Sequence, residues 1–324
     1  MSGTKIVLIG AGSSSFGLFS LCDAVNTPAL RGSNLVLVDI DAKKLRVMRK
    51  LADLMNKKTG ARLKIEYTVN RKEALPGAKF IVMSIAVDRM NRWRMDWEIP
   101  FKHGIRQVIG ENGGPGGLAH TLRNVPIIME ICRDIEDLCP DALLINYTNP
   151  LSRLCLAISR YSRVKVVGLC HELKNQLPKL SEILEVGSDE LDAMSAGLNH
   201  FAWILDLRFK SRGEDAYPLL REKLRSYNPS FQPLCRELFD KFGLYPCTDD
   251  NHVGEYVPYG WDKCPEGSRG LNWISACEHF GEWTLSYVDD IIAGRVPLEE
   301  ALEVSRRENG PSTSLKPLLK IVIE

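Results

Sequence analysis

Residues 5–19 read KIVLIGAGSSSFGLF, and this stretch decides the fold. Its first five residues form an apolar, β-branched run, which is typical of a strand buried on both faces. Gly10 and Gly12 follow at once, Ser15 stands where a third glycine often lies, and an apolar helix pattern comes next. In dinucleotide-binding units the first glycine makes a tight turn, the second lets backbone approach a pyrophosphate, and the helix N-terminus faces the phosphates. The pattern predicts cofactor contacts at Gly10, Gly12, Ser13 and Ser14.

A second apolar run, residues 34–39, ends in the acid Asp39. Asp39 lies 27 positions after Gly12, near the offset of about 20 at which an acid binds the ribose hydroxyls. A carboxylate there would repel a 2′-phosphate, so we expect NAD rather than NADP. A strand-to-helix turn with no ligand is the alternative for the glycines alone. Strand, glycines, helix and acid together favour dinucleotide binding.

The alternation of strands and helices continues along the chain. Apolar runs at 78–84, 142–146 and 164–168 are typical of further buried strands, and helical stretches at 41–57 and 121–138 lie between several of the runs. This order predicts an α/β fold with a doubly wound, parallel, Rossmann-like sheet and right-handed crossovers. Ligands of such sheets bind beyond the carboxyl ends of the strands.

Length and composition narrow the classes further. At 324 residues we expect two domains, an NAD-binding domain over 1–195 and a mixed α+β domain for substrate, metal and oligomerisation over 196–324. Forty-two basic against 41 acidic side chains give a net charge of +1, which excludes an overall basic nucleic-acid binder. No apolar run reaches the roughly 20 residues that span a bilayer. Nine scattered cysteines and an N-terminus without a signal-peptide pattern predict a cytoplasmic protein.

Polar groups follow the later strands, where an open sheet gathers its ligands. Asn149 precedes a proline after one strand, and Cys170 and His171 follow the next. Asn199 and His200 come later, embedded in apolar residues. One sulfur and one imidazole would form an incomplete shell for a divalent metal, open to substrate or water. Each residue alone could equally fill a core, so a Cys170/His200 metal site and ordinary burial both stay open.

Two further segments carry candidate groups. Residues 107–118 are rich in glycine and hold Glu111 as their only charge, which predicts a loop suited to close over a ligand. A flexible surface connection is the alternative. Residues 249–252 place two acids and a histidine before Glu255, as candidate proton-transfer groups. Solvated acids ahead of a helix are equally common there.

These segments resemble glycoside hydrolase family 4, the NAD- and divalent-metal-dependent glycosidases related in fold to lactate and malate dehydrogenases. The resemblance runs from Ile6 to about Tyr259. The Cys-His doublet followed by Asn-His is its most specific part. The resemblance as a whole rests on residues 10–13, 110–117, 148–150, 168–171 and 197–200.

The resemblance implies roles for individual residues. Cys170 and His200 would hold the metal, usually manganese, and His171 would donate a proton to the departing group. Asp249 matches the proposed base of α-glycosidases in the family, with Asp250 as a neighbouring alternative. The resemblance also implies three substrate contacts, at Glu111, Asn149 and Asn199.

The resemblance also implies a substrate class and a reaction. Family members that act on phosphorylated sugars usually have Asp or Asn in place of the His of the doublet, so His171 indicates a non-phosphorylated α-glycoside or α-uronide. NAD would oxidise C3, the metal would assist loss of the C2 proton, and the aglycone would leave by elimination. Water addition and re-reduction would follow without net turnover of NAD. The family normally continues beyond the position of Glu324, so we expect the sequence or its substrate domain to be incomplete.

Two other readings remain at this point. An NAD-dependent 2-hydroxy-acid or sugar dehydrogenase would have the same sheet, but its catalytic half would contain an arginine clamp and an Asp–His relay. Such an enzyme would also accumulate NADH. A non-catalytic dinucleotide sensor is the second, because a fold does not fix a function. The expected partner is a small glycoside, with no nucleic acid and no membrane, in a homodimer or homotetramer.

Overall fold

The computed structural model describes residues 3–13, 16–187 and 189–304. Its contacts divide the chain into two compact units. The first unit comprises Met1–Asp88, Thr121–Leu169 and Cys277–Glu324, and the second comprises Arg89–His120 and Cys170–Ala276. The sequence predicted a division by function, with an NAD-binding domain ending at residue 195, and this division stays a prediction because the two compact units are defined by contacts alone.

The first unit contains a six-stranded parallel sheet in the order β3-β2-β1-β4-β5-β6. This order is that of a doubly wound dinucleotide-binding sheet, so the predicted fold class is confirmed. The third strand carries charged residues and was not predicted, because it lies at the sheet edge and lacks an apolar run. The strands are β1 Lys5–Ile9, β2 Asn34–Val38, β3 Lys64–Thr68, β4 Phe80–Met83, β5 Leu143–Asn146 and β6 Lys165–Gly168.

Alternate side chains of the sheet build two separate cores, one on each face. Ile6 and Leu8 belong to one core, whereas Val7 and Ile9 belong to the other. Burial on both faces explains why these strands are continuously apolar rather than alternating. The unit's helices are α1 Gly17–Asn26, α2 Ala42–Thr59, α3 Arg71–Ala74, α6 Leu151–Tyr161 and α13 Leu298–Val304, with parts of α5 Gly114–Leu138 and α12 Gly270–Ile292.

Local signals explain the ends of two helices. The Asp41 side chain accepts hydrogen bonds from the backbone N–H groups of Lys43 and Lys44 at the start of α2, and Gly60 ends it in a left-handed conformation. Helix α5 begins at Gly114, earlier than the predicted residue 121. The prediction was late because glycines disfavour a helix interior, whereas Pro115 suits a first turn.

The second unit combines helices with a small antiparallel sheet in the order β7-β8-β9. This is the mixed α+β architecture that the sequence predicted. No helix in the described ranges is long and apolar enough to cross a membrane. The elements are α4 Arg89–Lys102, α7 Glu172–Leu184, β7 Leu191–Leu198, β8 Phe201–Phe209, α8 Tyr217–Ser226, α9 Pro233–Phe242, β9 Tyr245–Pro246, α10 Asp250–Val253 and α11 Gly260–Lys263.

We predict that Gly10→Ala destabilises the protein more than Gly32→Ala. Both glycines have a left-handed φ, +87° at Gly10 and +77° at Gly32. An alanine in this conformation raises the free energy of the folded state by about 1–2 kcal/mol. A Cβ at Gly10 would also lie 2.0 Å from the carbonyl oxygen of Ser84, whereas nothing lies within 4 Å at Gly32. Overpacking adds about 1–3 kcal/mol. Thermal unfolding of the two variants measures the difference, and equal losses would contradict the close packing of β1 against β4.

Candidate functional site

The predicted cofactor residues of the first unit meet at the ends of β1 and β2. Asp39 Oδ2 accepts a hydrogen bond from the Gly12 N–H at 2.8 Å, and Asp39 Oδ1 accepts one from Asp41 at 2.9 Å. A Cβ at Gly12 would lie 2.9 Å from Asp39 Oδ2, so a larger residue at this position would displace the carboxylate. Ser13 Oγ accepts the Phe16 N–H at 3.2 Å, and Ser14 lies outside the described residues. A carboxylate has about four acceptor positions, so Asp39 keeps capacity for ribose hydroxyls.

Asn149 also belongs to the first unit, in the turn after β5. The Asn149–Pro150 peptide bond is cis. The carbonyl oxygen of Asn149 accepts a hydrogen bond from Asn124 Nδ2 at 2.9 Å. The preceding Thr148 Oγ1 accepts the Ile85 N–H at 3.0 Å. Hydrogen bonds from Asn124 and Ile85 therefore anchor the turn that carries Asn149, the predicted substrate contact.

In the second unit, the structure brings Cys170 and His200 together with Glu172. Cys170 Sγ lies 3.9 Å from His200 Nε2, and Glu172 Oε1 lies 3.8 Å from the same nitrogen. One ligand atom from each residue falls within 4.8 Å of the others. His200 is buried, Glu172 is half-buried and Cys170 is exposed. We call these three residues the Cys–Glu–His cluster.

A two-residue turn between β7 and β8 presents His200 to the cluster. His200 has a left-handed φ of 65°, a conformation that is uncommon outside glycine. Its N–H donates to Glu172 Oε1 at 2.6 Å, and the Asn199 side-chain amide donates to the same oxygen. Glu172 is the first residue of α7, where a helix N-terminus stabilises a negative charge. Sequence reasoning missed Glu172, although an acid that opens a helix two residues after Cys170 was a usable signal.

The other nitrogen of the His200 ring faces a buried carboxylate. His200 Nδ1 lies 3.0 Å from Asn112 Nδ2 and 3.9 Å from Glu255 Oε2. The Glu255 side chain is only 1% exposed. Its carboxylate accepts the Glu111 N–H at 2.6 Å and the Asn112 N–H at 3.1 Å. We call these two backbone N–H groups and the carboxylate the Glu255 cradle.

Residues 107–113 of the glycine-rich segment form a loop, as predicted, and residues 114–118 belong to α5 instead. The burial of this loop excludes a flexible surface connection, and its closure over a ligand stays a prediction. Residues 107–113 are buried, and α5 begins at Gly114. A Cβ at Gly113 would lie 2.5 Å from the Glu255 carbonyl oxygen, and one at Gly116 would lie 2.6 Å from the Gly110 carbonyl oxygen. The glycines therefore permit close packing within the protein. Glu111 itself forms an ion pair with Arg89 at 3.4 Å.

The two predicted acids of residues 249–252 have different surroundings. Asp249 Oδ1 contacts Lys179 Nζ and Gln232 Nε2, and its side chain is 44% exposed. Asp250 is buried and accepts the backbone N–H of Cys235 at 2.8 Å, in the first turn of α9. Burial raises the pKa of Asp250 above its ordinary value. Asp250 therefore has a structural contact, and Asp249 is the more accessible acid.

The electrostatic surroundings of His200 favour positive charge. Burial alone would lower the pKa of His200, but contacts with Cys170 and Glu255 outweigh it and hold that pKa well above its ordinary value. Burial raises the pKa of Glu255, against the contact with His200. Burial and then the neighbouring His200 lower the pKa of His171. A sulfur and two carboxylates thus surround one imidazole.

This donor set fits a divalent transition metal. Thiolate sulfur and imidazole nitrogen bind zinc and other divalent first-row transition metals, and carboxylate oxygen also suits manganese. Metal binding displaces protons from its ligands, so the field that favours a proton on His200 also favours a cation. Beside these three protein groups, coordination positions remain for substrate or water.

Comparison with known proteins identifies the class. The family described as "Family 4 glycosyl hydrolase" matches residues 5–186, and its C-terminal domain matches residues 195–301. The chain belongs to this family, which confirms the resemblance inferred from the sequence.

Several relatives are similar over most of this chain but extend further than it does. The chain is 38% identical over 309 residues to an α-glucosidase of Erwinia rhapontici, covering 83% of this chain and 68% of the relative. It is 35% identical over 258 residues to an α-galactosidase of Bacillus subtilis, covering 79% and 59%. An α-galacturonidase of Thermoanaerobacter italicus is 29% identical, with 82% and 62% covered.

Solved structures share the fold at lower identity. A putative glucosidase of Bacillus subtilis has a TM-score of 0.84 at 24% identity, covering 98% of this chain and 76% of the other. A 6-phospho-α-glucosidase from gut microorganisms, solved with NAD and Mn²⁺, has a TM-score of 0.79 at 20% identity, covering 99% and 74%. A lactate dehydrogenase of Eimeria maxima reaches 0.51 at 16%, covering 74% and 69%. The predicted likeness to dehydrogenases is confirmed at the level of the fold.

We predict that Gly113→Ala destabilises the protein by about 1–3 kcal/mol, the range for overpacking. The added methyl group would push residues 111 and 112 away from the Glu255 carboxylate. Gly267→Ala is the matched control, because nothing lies within 4 Å of a Cβ there. Thermal unfolding measures both variants. If Gly113→Ala were as harmless as Gly267→Ala, the Glu255 cradle would not depend on close backbone approach.

Proposed function

We propose that this chain is an NAD- and manganese-dependent glycosidase of non-phosphorylated α-glycosides or α-uronides. The observation that carries the proposal is the meeting of Cys170 and His200, thirty residues apart in sequence, at 3.9 Å. Family membership supports glycoside hydrolysis, and the donor set of the Cys–Glu–His cluster supports a divalent cation.

NAD would be held by Gly10, Gly12, Ser13, Ser14 and Asp39. The hydrogen bond from Gly12 to Asp39 supports this assignment, since it sets the acid beside the glycine turn. A structural neighbour was solved with NAD and Mn²⁺. When bound, NAD would supply a hydride acceptor at C3 of the sugar and, in its reduced form, a hydride donor for the same carbon. The carboxylate of Asp39 disfavours a 2′-phosphate, so the proposal specifies NAD rather than NADP.

Cys170 and His200 would hold the cation. When bound, the cation supplies a Lewis acid for the C3 carbonyl, which makes the neighbouring C2 proton more acidic. Glu172 contributes negative charge beside both ligands and fixes the turn that carries His200.

Residues of the chain would then move the protons. We assign Asp249 as the base that removes the C2 proton, because Asp250 is buried against α9. Lys179 and Gln232 both contact Oδ1 of Asp249, so Oδ2 is the oxygen assigned to the proton. His171 would protonate the aglycone oxygen as the C1–O bond breaks. Water then adds at C1 and the C2 proton is restored. Glu111, Asn149 and Asn199 would contact sugar hydroxyls.

The chain's setting follows from the same proposal. All nine cysteines lie within the described residues and none of them forms a disulfide bond there, which supports a reducing compartment such as the cytoplasm. We propose a homodimer or homotetramer with a small-molecule glycoside as substrate. A net-redox dehydrogenase is not favoured, because the dehydrogenase likeness concerns the fold alone.

Hydrolysis in deuterated water tests the elimination route. We predict that the sugar released from a p-nitrophenyl α-glycoside carries deuterium at C2, because the C2 proton exchanges with solvent through the base. NADH should not accumulate. The free sugar incubated with enzyme under the same conditions is the control for exchange after release. A product without label at C2 would refute elimination, and steady growth of NADH absorbance would favour the dehydrogenase.

Substitution of the sulfur ligand tests the metal assignment. Cys170→Ser should lower manganese-dependent hydrolysis by at least about 100-fold, because a metal ligand is removed. NAD affinity, measured by fluorescence titration, should remain close to that of the unsubstituted protein. Cys277→Ser is the control for loss of a thiol outside the cluster. Full activity in Cys170→Ser would remove the metal assignment.

A further inference from the structure

Hydrogen bonds join five side chains of the second unit around Asp249. We call them the Asp249 network, and its other members are Gln176, Lys179, Gln232 and Tyr245. Lys179 Nζ and Gln232 Nε2 both donate to Oδ1 of Asp249. Among the described residues, none makes a hydrogen bond to Oδ2 of Asp249. The carboxylate is therefore held through one oxygen, and its other oxygen is the one that can meet a substrate.

The carboxylate fixes the orientation of the Gln232 amide. An ionised carboxylate only accepts hydrogen bonds, so the amide must turn its nitrogen toward Asp249. Gln232 Nε2 also donates to Gln176 Oε1 at 3.1 Å. Gln232 Oε1 accepts from Gln176 Nε2 at 2.8 Å and from the Tyr245 hydroxyl at 2.8 Å. Both hydrogens and both lone pairs of this amide are thus occupied, and a fully satisfied network of this kind is rigid.

The Asp249 network runs from the interior of the second unit to an accessible carboxylate. Gln176 and Tyr245 are buried, whereas the Asp249 side chain is 44% exposed. Burial raises the pKa of Tyr245 above its ordinary value, so its hydroxyl keeps the hydrogen that it donates to Gln232. Asp249 is therefore supported from below by groups with little freedom to move.

Gln176 also connects the network to the helix that follows Cys170. It lies in α7, which begins at Glu172 directly after His171. The reciprocal amide pair between Gln176 and Gln232 links the helix next to His171, the assigned acid, to the side chain that holds Asp249, the assigned base. One helix therefore takes part in placing both groups.

The backbone at Gln232 indicates that its side chain matters. Gln232 has a left-handed φ of 41°, a conformation that favours glycine and is uncommon for other residues. Such a conformation costs free energy and persists where the surrounding structure imposes it. A glycine would adopt it without strain but could make none of the hydrogen bonds of the amide. The benefit of glutamine at this position is therefore its amide.

We propose that Gln232 is a positioning residue for the base Asp249. Its amide holds Oδ1, together with Lys179, so that Oδ2 is presented to the C2 proton of the sugar. This inference rests on the proposed function, because it has meaning only if Asp249 is the base. A displacement of about 1 Å at a reacting group can lower a rate by about 100-fold.

Steady-state hydrolysis of a p-nitrophenyl α-glycoside with NAD and Mn²⁺ is the first test. We expect Gln232→Met to lower kcat by about 100-fold with KM unchanged, because methionine has the length of glutamine but no N–H to hold Asp249. Gln232→Glu should also lower kcat, since a carboxylate cannot donate to Asp249 and repels it. Full activity in both variants would show that the side chain only fills space and would overturn the inference. Glu237→Gln, on the same helix and paired with Lys241 and Lys263, is the control that keeps activity.

Kinetic isotope effects distinguish positioning from a general loss of structure. In Gln232→Met, we expect deuterium at C2 of the sugar to slow kcat more than it does in the unsubstituted protein, and deuterium at C3 to slow it less. The reason is that a displaced base slows removal of the C2 proton and leaves hydride transfer from C3 unaffected. A substitution that only lowers the folded fraction changes neither isotope effect, so unchanged values would overturn the inference.

Neutron diffraction from crystals of the unsubstituted protein keeps the test independent of variant folding. After exchange into deuterated water, we expect deuterium on the Gln232 nitrogen that faces Asp249 Oδ1, and deuterium on the Tyr245 hydroxyl directed to Gln232 Oε1. An amide in the opposite orientation, or an Asp249 carboxylate without contact to Gln232, would overturn the inference.

A further substitution separates the inference from the proposed function. Asp249→Asn should lower kcat by about 10²–10⁴-fold, the usual contribution of a general base. If Asp249→Asn loses activity and Gln232→Met does not, the positioning inference fails and the assignment of the base stands. If Asp249→Asn keeps full activity, the assignment of the base fails, and the inference fails with it.

Discussion

The geometry of the Cys–Glu–His cluster depends on one hydrogen bond between a carboxylate and a backbone turn. Glu172 accepts the N–H of His200, a residue whose left-handed backbone would otherwise be unfavourable, and this bond keeps the imidazole beside Cys170. The helix that begins at Glu172 supplies a positive N-terminal field for the carboxylate. This bond links the segment after β6, which carries Cys170, to the hairpin turn between β7 and β8, which carries His200.

Carboxylates lie on both sides of His200 and make different contacts. Glu172 acts on the backbone and lies near Nε2, while Glu255 lies near Nδ1 and is held by the N–H groups of residues 111 and 112. Their combined charge favours a cation at the imidazole. The glycine-rich segment, which resembles a ligand-covering loop in sequence, serves this arrangement by allowing backbone to approach Glu255.

The sequence predicted what short-range patterns encode. Apolar runs indicated five of the six strands of the large sheet, and β3 escaped because its edge position tolerates charged residues. The pairing of Cys170 with His200 followed from the convergence of chain segments in an open sheet, together with a family resemblance. Glu172 and Glu255 were not assigned, because their roles come from hydrogen bonds to residues 28 and 144 positions away. The close packing at Gly113 and Gly116 was not predicted, because a tight packing site and a ligand-covering loop both require small residues.

X-ray absorption at the zinc edge of the Zn²⁺-loaded protein tests whether Cys170 and His200 share a cation, because it reports the ligand atoms without turnover. We predict one sulfur at about 2.3 Å together with nitrogen and oxygen neighbours, and loss of the sulfur signal in Cys170→Ser. A shell of nitrogen and oxygen alone, unchanged by that substitution, would show that Cys170 and His200 do not share a cation.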